Sequence, residues 1–186
     1  MFHAKEYVKA ESLEQAYELN QKRSNVLAGG MMWLKMSSGN RNTVIDLSGL
    51  GLDQIEETED EFRIGCMCSL RQLELHKGLN QYFDGAFREC TRWIVGTQFR
   101  NSATVGGSVF GRFGFSDILT CMMVLDSYVE LYKGGTVSLE EFAKMKYSRD
   151  ILVRIIIKKD GRKAAYASQR RSKTDFPLIA VAAAKK

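Results

Sequence analysis

The chain has 186 residues, a net charge of +5 and four cysteines, with 45% hydrophobic and 10% aromatic residues. That is enough apolar side chain to bury a core in one domain or two small ones. No apolar run approaches the ~20 residues that span a membrane, and the opening MFHAKEYVKAESLEQ holds no apolar signal core, so the expectation is a cytoplasmic chain. Cys66, Cys68, Cys90 and Cys121 form no C-x-x-C pair, and His3 and His76 are the only histidines. A metal site is therefore poorly supplied, and reduced thiols are expected. Cys66-x-Cys68 would put both thiols on one face of a strand.

Charge is uneven along the chain. Arg149 to Lys186 carries eleven Lys and Arg against three Asp and Glu, or +8, and the first 148 residues carry sixteen against nineteen, or −3. A basic end of this kind suits a phosphate-rich ligand, an acidic partner or plain solvent.

Ser12-x-x-Gln15 reads as a capping box, and Leu13, Ala16 and Tyr17 continue a helix to about residue 22. Val26–Ala28 is a short buried strand. Gly29-Gly30 turns it into a short helix over Met31–Met36, which Ser37-Ser38-Gly39-Asn40 breaks. Thr43–Leu47 is the next strand. Strand, helix and strand at this length predict a parallel unit ending near Gln54.

Glu56–Glu61 reads as an acidic turn and Phe62–Gly65 as a strand. A second capping box, Ser69-x-x-Gln72, starts a helix to about Lys77. Gly85 opens another, with Phe87, Cys90, Thr91 and Ile94 on one face. Beyond the glycine-rich stretch discussed below, Ile118–Leu125 is a helix apolar nearly all round, and so a buried one. Val129–Tyr132 is a strand, Lys133–Thr136 a hairpin-like turn, and Ser138-x-x-Glu141 caps a helix to about Met145. Leu152–Ile157 is a strong strand, Asp160-Gly161 turns the chain, and Ala164–Ser168 returns. A basic loop, Gln169–Lys173, precedes a last strand over Leu178–Ala183 whose face cannot be assigned.

The chain is organised around Gln98–Asp117, QFRNSATVGGSVFGRFGFSD, with Gly106, Gly107, Gly111 and Gly114 and no acid before Asp117. Glycines let a ligand approach bare N–H groups. Thr104, Ser108 and Ser116 add hydroxyls, and Ser116 can cap the next helix. Val26–Met36 follows the same logic. Two glycine clasps suit a long, doubly held phosphate ligand; two ordinary tight turns would give the same spacing. No Ser/His/Asp or paired-carboxylate constellation is visible, so no catalytic side chain is assigned.

VLAGGMMWLKM, QFRNSATVGGSVFGRFGFSDIL, DILVRIIIKK and RRSKTDFPLIAVAAA occur in an order that identifies the chain as resembling the FAD-binding medium subunit of molybdenum hydroxylases. Relatives include xanthine, carbon monoxide and nicotinate dehydrogenases. The resemblance covers essentially the whole chain. It implies an α+β fold of two subdomains, residues 1–54 and 55–186, with FAD between them and the usual C-terminal domain absent. It implies that Leu27, Ala28, Gly29, Gly30, Met31 and Met32 wrap the pyrophosphate, and that Thr104, Val105, Gly106, Gly107 and Ser108 clasp its other side. Asp117 matches an acid that bonds FAD hydroxyls, and Ile151 or Leu152 an apolar position against the cofactor ring. Ile94 stands where some relatives have an aromatic residue.

The implied function is electron transfer: from a molybdopterin-binding large subunit, through [2Fe–2S] clusters on a small subunit, to FAD here and on to NAD⁺. There are departures. Met31 and Met32 replace a Thr and an Asp, Ser108 replaces an Asn, and GRFGF replaces an Ala/Ser/Pro-rich segment. Arg112 in that segment could pair with phosphate, and Phe113 and Phe115 could stack on flavin, meet a partner subunit or simply pack. Two other readings stand beside this one: a redox-inactive scaffold with a flavin fold, and a phosphate- or nucleic-acid-binding module.

Overall fold

The computed structural model describes residues 1–186 as 28% helix and 32% strand in three sheets. The first sheet is parallel, in the order β1 (Phe2–Lys9), β3 (Gly39–Asp46), β2 (Val26–Ala28). Helix α1 (Leu13–Asn20) crosses between β1 and β2. Ser12 Oγ accepts from Gln15 N–H at 3.1 Å, and Gln15 Oε1 accepts from Glu11 N–H, one residue before the cap. Only a single 3₁₀ turn, Leu34–Met36, forms between β2 and β3, where a helix from Met31 was expected. Met31 at φ +61° breaks the helical path, and the Ser37 hydroxyl closes the turn on the Leu34 carbonyl at 2.7 Å.

The second sheet is antiparallel, in the order β4 (Ile55–Glu57), β5 (Glu61–Gly65), β8 (Leu152–Lys158), β6 (Ser127–Leu131), β7 (Gly135–Ser138). The expected acidic turn is in part β4, an edge strand whose Glu56 and Glu57 face solvent. Strand β8 is central, with Leu152, Val153, Ile155, Ile156 and Ile157 buried. A third, two-stranded sheet pairs β9 (Lys163–Gln169) with β10 (Ile179–Lys185). The last strand does alternate: Ala180, Ala182 and Ala184 pack inward, while Ile179 and Val181 point out.

Short helices fill the space between these sheets: α2 (Leu70–Leu75), α3 (Lys77–Tyr82), α4 (Ala86–Thr91), α5 (Thr97–Ser102), α6 (Val105–Phe110), α7 (Asp117–Met122) and, beside β6 and β7, α8 (Leu139–Lys144). The core joins Phe62, Ile64, Leu73, Phe83, Phe87, Ile118 and Met122, all essentially without exposure. Burying side chains of this size contributes about 1.5–3 kcal/mol each. Cys66 and Cys68 lie in the turn after β5, not on a strand face; both are buried, and burial pushes both thiols up to about 12.

Arg100 and Glu74 form a buried ion pair at 2.8 Å, and Arg71 reaches the other oxygen of Glu74 at 2.8 Å. Arg100 also donates to the Ile94 carbonyl, which fixes the start of α5. Arg149, just before β8, reaches back to the first sheet region. Its guanidinium donates to the carbonyls of Asn20, Lys22 and Asn25.

Candidate cofactor site

The central glycine stretch folds as two helices and a turn. Gly96 opens α5, and Thr104 caps α6, its Oγ1 accepting from Gly107 N–H at 3.2 Å. Ser116 caps α7, accepting from Leu119 N–H at 3.2 Å, and its own hydroxyl donates to the Ser108 carbonyl. The amides of Val105 and Gly106 are used inside the chain, donating to the carbonyls of Cys68 and Cys66 at 2.8 and 2.9 Å. The 104–108 segment therefore offers few free amides, because the helix is sewn to the turn after β5.

The 29–32 segment is the opposite case. The amides of Gly29, Gly30, Met31 and Met32 donate to nothing within the chain. Met31 sits at φ +61°, in the left-handed region that converges successive N–H groups into an anion-binding nest. This loop lies tightly against the other: a Cβ on Gly30 would fall 1.5 Å from the Ser102 carbonyl oxygen, and one on Gly29 would fall 2.6 Å from Thr104 Oγ1. Gly29 and Gly30 are glycine so that the two clasps can touch. Gly107 is different, since a Cβ there would meet only Thr104 Oγ1, at 3.1 Å.

Two cavities meet at this contact and share Leu27, Gly29, Thr104 and Gly107. One, of about 360 Å³, continues past Gly30, Met31, Met32 and Ser108 to Asp117. The other, of about 780 Å³, runs past Ala28 and Gly106 to Ile151 and Leu152. All but one of the residues expected at the site are thus brought together. The exception is Val105, which lines neither cavity and is fully buried in the core.

Asp117 is buried at the start of α7, where its Oδ1 accepts from the Tyr166 hydroxyl and from Arg170. Burial pushes the carboxyl up from its ordinary value, and the Tyr166 and Arg170 hydrogen bonds pull it back only in part. Tyr166 is raised in turn, by burial first and by Asp117 second. Neither partner of Asp117 was signalled in the sequence, since they lie 49 and 53 residues away.

Arg112 is not available to a phosphate. It donates to the Met145 carbonyl at 2.5 Å and stacks 4.0 Å over the Phe142 ring. Phe113 and Phe115 stack on one another at 5.2 Å and line the smaller cavity with Trp33, Phe99 and Phe176. No group of three or more His, Cys, Asp and Glu is placed to hold a metal ion. No helix is long and apolar enough to cross a membrane.

The free amides of Gly29–Met32 line the smaller cavity, Gly29 lines the larger one as well, and the buried Asp117 carboxyl stands in the wall of the smaller cavity. The donors fit FAD, because the nest carries no acid that would repel a phosphate. Residues 2–159 match the family described as the FAD binding domain in molybdopterin dehydrogenase, and the chain belongs to that family. Its cofactor is FAD.

YgfM of Escherichia coli K12 is 26% identical over 183 residues, which is 96% of this chain and 69% of YgfM. The 6-hydroxypseudooxynicotine dehydrogenase complex subunit alpha of Paenarthrobacter nicotinovorans is 26% identical over 131 residues, 67% of this chain and 44% of that subunit. A chain of the Cu,Mo-CO dehydrogenase in its cyanide-inactivated form shares the fold, with a TM-score of 0.85 at 22% identity over 96% of this chain and 68% of that one. The chain is thus similar to subunits of molybdopterin dehydrogenases, and it spans about two thirds of YgfM and of the CO dehydrogenase chain.

Proposed function

We propose that this chain is the FAD-carrying electron-transfer subunit of a molybdenum hydroxylase of the xanthine dehydrogenase type. It receives electrons from [2Fe–2S] clusters on a small partner subunit, which a molybdopterin-binding large subunit has reduced, and passes them to NAD⁺. The observation that carries this reading is the row of four unbonded amides, Gly29 to Met32, along the smaller cavity, with Gly29 shared with the larger.

In this reading the two subdomains, 1–54 and 55–186, flank the cofactor. The amides of Gly29–Met32 bind the diphosphate. Thr104, already bonded to Gly107, holds the opposing wall in place. Asp117, its Oδ1 fixed by Tyr166 and Arg170, accepts from sugar hydroxyls, as a carboxylate can from two donors at once. Ile151 and Leu152 give the cofactor ring a dry apolar surface. FAD supplies the redox chemistry when bound; the chain supplies binding and orientation. No side chain here needs to act as acid or base.

The test is a visible absorption spectrum of the purified chain, with extraction and identification of the chromophore. One FAD per chain supports the reading. Co-purification with iron–sulfur and molybdopterin subunits, and NADH formation by the assembled complex, test the partners and the acceptor. A colourless chain that also refuses added FAD overturns it in favour of a redox-inactive scaffold.

A further inference from the structure

Arg112 is one of four non-glycine residues held at positive φ, at +48°. Left-handed backbone is disfavoured for an arginine, so the surrounding structure must impose it. The imposing contacts come mainly from α8 and the segment that follows it. The guanidinium carbon lies 4.0 Å from the centre of the Phe142 ring, 4.7 Å from that of Tyr147 and 5.7 Å from that of Phe110. These rings form a cage, Phe110 meeting Phe142 at 5.9 Å and Tyr147 at 6.0 Å. Arg112 Nη1 donates to the Met145 carbonyl at 2.5 Å, and the Tyr147 hydroxyl donates to the Gly111 carbonyl. Two successive residues of the 111–116 turn are thus tied to partners 33 and 36 residues away. Arg112 itself lines neither cavity, yet the walls of both lead to it. Phe110 and Tyr147 line the larger cavity, Phe113 and Phe115 the smaller. Gly111 seats the Phe113 ring, for a Cβ there would fall 2.5 Å from the ring edge. Phe113 in turn lies parallel to Phe115 at 5.2 Å, and Phe115 leads into Ser116, the cap of α7.

We propose that Arg112 is a positioning residue for the cofactor: a clip, caged by Phe110, Phe142 and Tyr147, that touches no FAD and fixes the 111–116 turn from behind. The proposal rests on the FAD reading above. The clip acts through its neighbours. It holds Gly111 in place, Gly111 seats Phe113, and Phe113 sets Phe115 against the cavity. A flat guanidinium suits this work, because it stacks on a ring and donates in its own plane at once; the compact ammonium of a lysine has no such plane. With the clip removed, the backbone at 112 is free to leave its imposed path, and Phe113 and Phe115 move with it.

Arg112→Gly is the variant to test, since glycine adopts this φ freely and the substitution empties the cage without adding backbone strain. Calorimetric titration should show FAD binding about tenfold more weakly, the scale of one desolvated cation–π contact. Added ethylguanidinium, which refills the cage, should restore the affinity of Arg112→Gly and leave the parent unchanged. Arg112→Lys, which keeps the charge, should fall between the two. A Trp93→Phe background leaves Trp33 as the one tryptophan, 6.2 Å from Phe115. Its emission in apo Arg112→Gly should shift, and ethylguanidinium should shift it back. Parental FAD affinity in Arg112→Gly overturns the proposal. So does a loss of affinity that follows a lowered unfolding midpoint and that neither lysine nor ethylguanidinium mends, which is the mark of a purely structural residue. Should the parent bind no FAD, the functional reading fails separately. Trp33 then decides, and an unshifted emission in apo Arg112→Gly overturns the clip.

Discussion

Gly30 and Gly107 separate two reasons for having glycine at this site. At Gly30 the obstacle to a side chain is main chain: a Cβ would lie 1.5 Å from the Ser102 carbonyl oxygen and 2.4 Å from its carbon. No rotamer change relieves that, so Gly30→Ala must part the two loops. Forced overpacking costs about 1–3 kcal/mol or more, and for a chain of this size each kcal/mol moves the midpoint by about 2–4 °C. The apo protein carrying Gly30→Ala should therefore melt about 5–10 °C lower. At Gly107 the only neighbour is Thr104 Oγ1 at 3.1 Å, which must yield by a few tenths of an ångström. Against this strain, alanine in a helix gains up to ~1 kcal/mol over glycine. Gly107→Ala should therefore melt within about 3 °C of the parent. It should nonetheless bind FAD at least about tenfold more weakly, because its methyl group enters the junction of the cavities; Gly107→Val should be worse. Differential scanning calorimetry of the apo forms and FAD titration give both numbers. A Gly107→Val chain with full FAD affinity would refute the clasp, and an unshifted midpoint for Gly30→Ala would refute the loop contact.

Removing one partner of the buried pair, by Arg100→Met, should cost about 3 kcal/mol, the low end for such a loss because Arg71 still serves Glu74; chemical denaturation reads it. Burial alone would raise Glu74, but the Arg100 and Arg71 hydrogen bonds outweigh it and its carboxyl lies below the ordinary 4.5. A depressed carboxyl stabilises the fold above its unfolded value and loses that contribution as the pH falls through the folded one, so Glu74→Gln should flatten the decline in stability below about pH 4.5. Asp117→Asn should weaken FAD about ten- to a hundredfold, the range for one hydrogen bond to a charged group, as measured by equilibrium titration. All four thiols are buried, and two are pushed up to about 12, so a disulfide reagent at pH 8 should titrate none of them until denaturant is added.

Much of this fold is written in local sequence. The capping serines at 12, 69, 116 and 138 each accept the hydrogen bond that their spacing implies. Strand β8 announces itself through Leu152–Ile157. Strand β1 does not. Five consecutive residues, His3 to Tyr7, are exposed, so no hydrophobic alternation marks it, and parallel pairing with β3 is what makes it a strand. The glycines of 106–107 read as a clasp or a tight turn, but Thr104 supplies a cap and the stretch becomes α6. At the site, the glycine pairs and Asp117 were legible. Phe113 and Phe115 were noted too, but not their grouping with Trp33, Phe99 and Phe176, since those rings come together only through tertiary contact. Nor could the sequence show which clasp keeps its amides free. That depends on where the carbonyls of Cys66 and Cys68 fall.

The reach of Arg149 across to the first sheet bears on how the cofactor is loaded. One guanidinium, bonded to the carbonyls of Asn20, Lys22 and Asn25, pins the two halves of the cleft together before any ligand arrives. The contact of Gly30 with Ser102 is a second such pin. On the functional reading proposed above, FAD would enter a groove whose two sides are already held together at these two points. The entropy of assembling the groove is spent when the chain folds, and the arriving cofactor meets walls already in register.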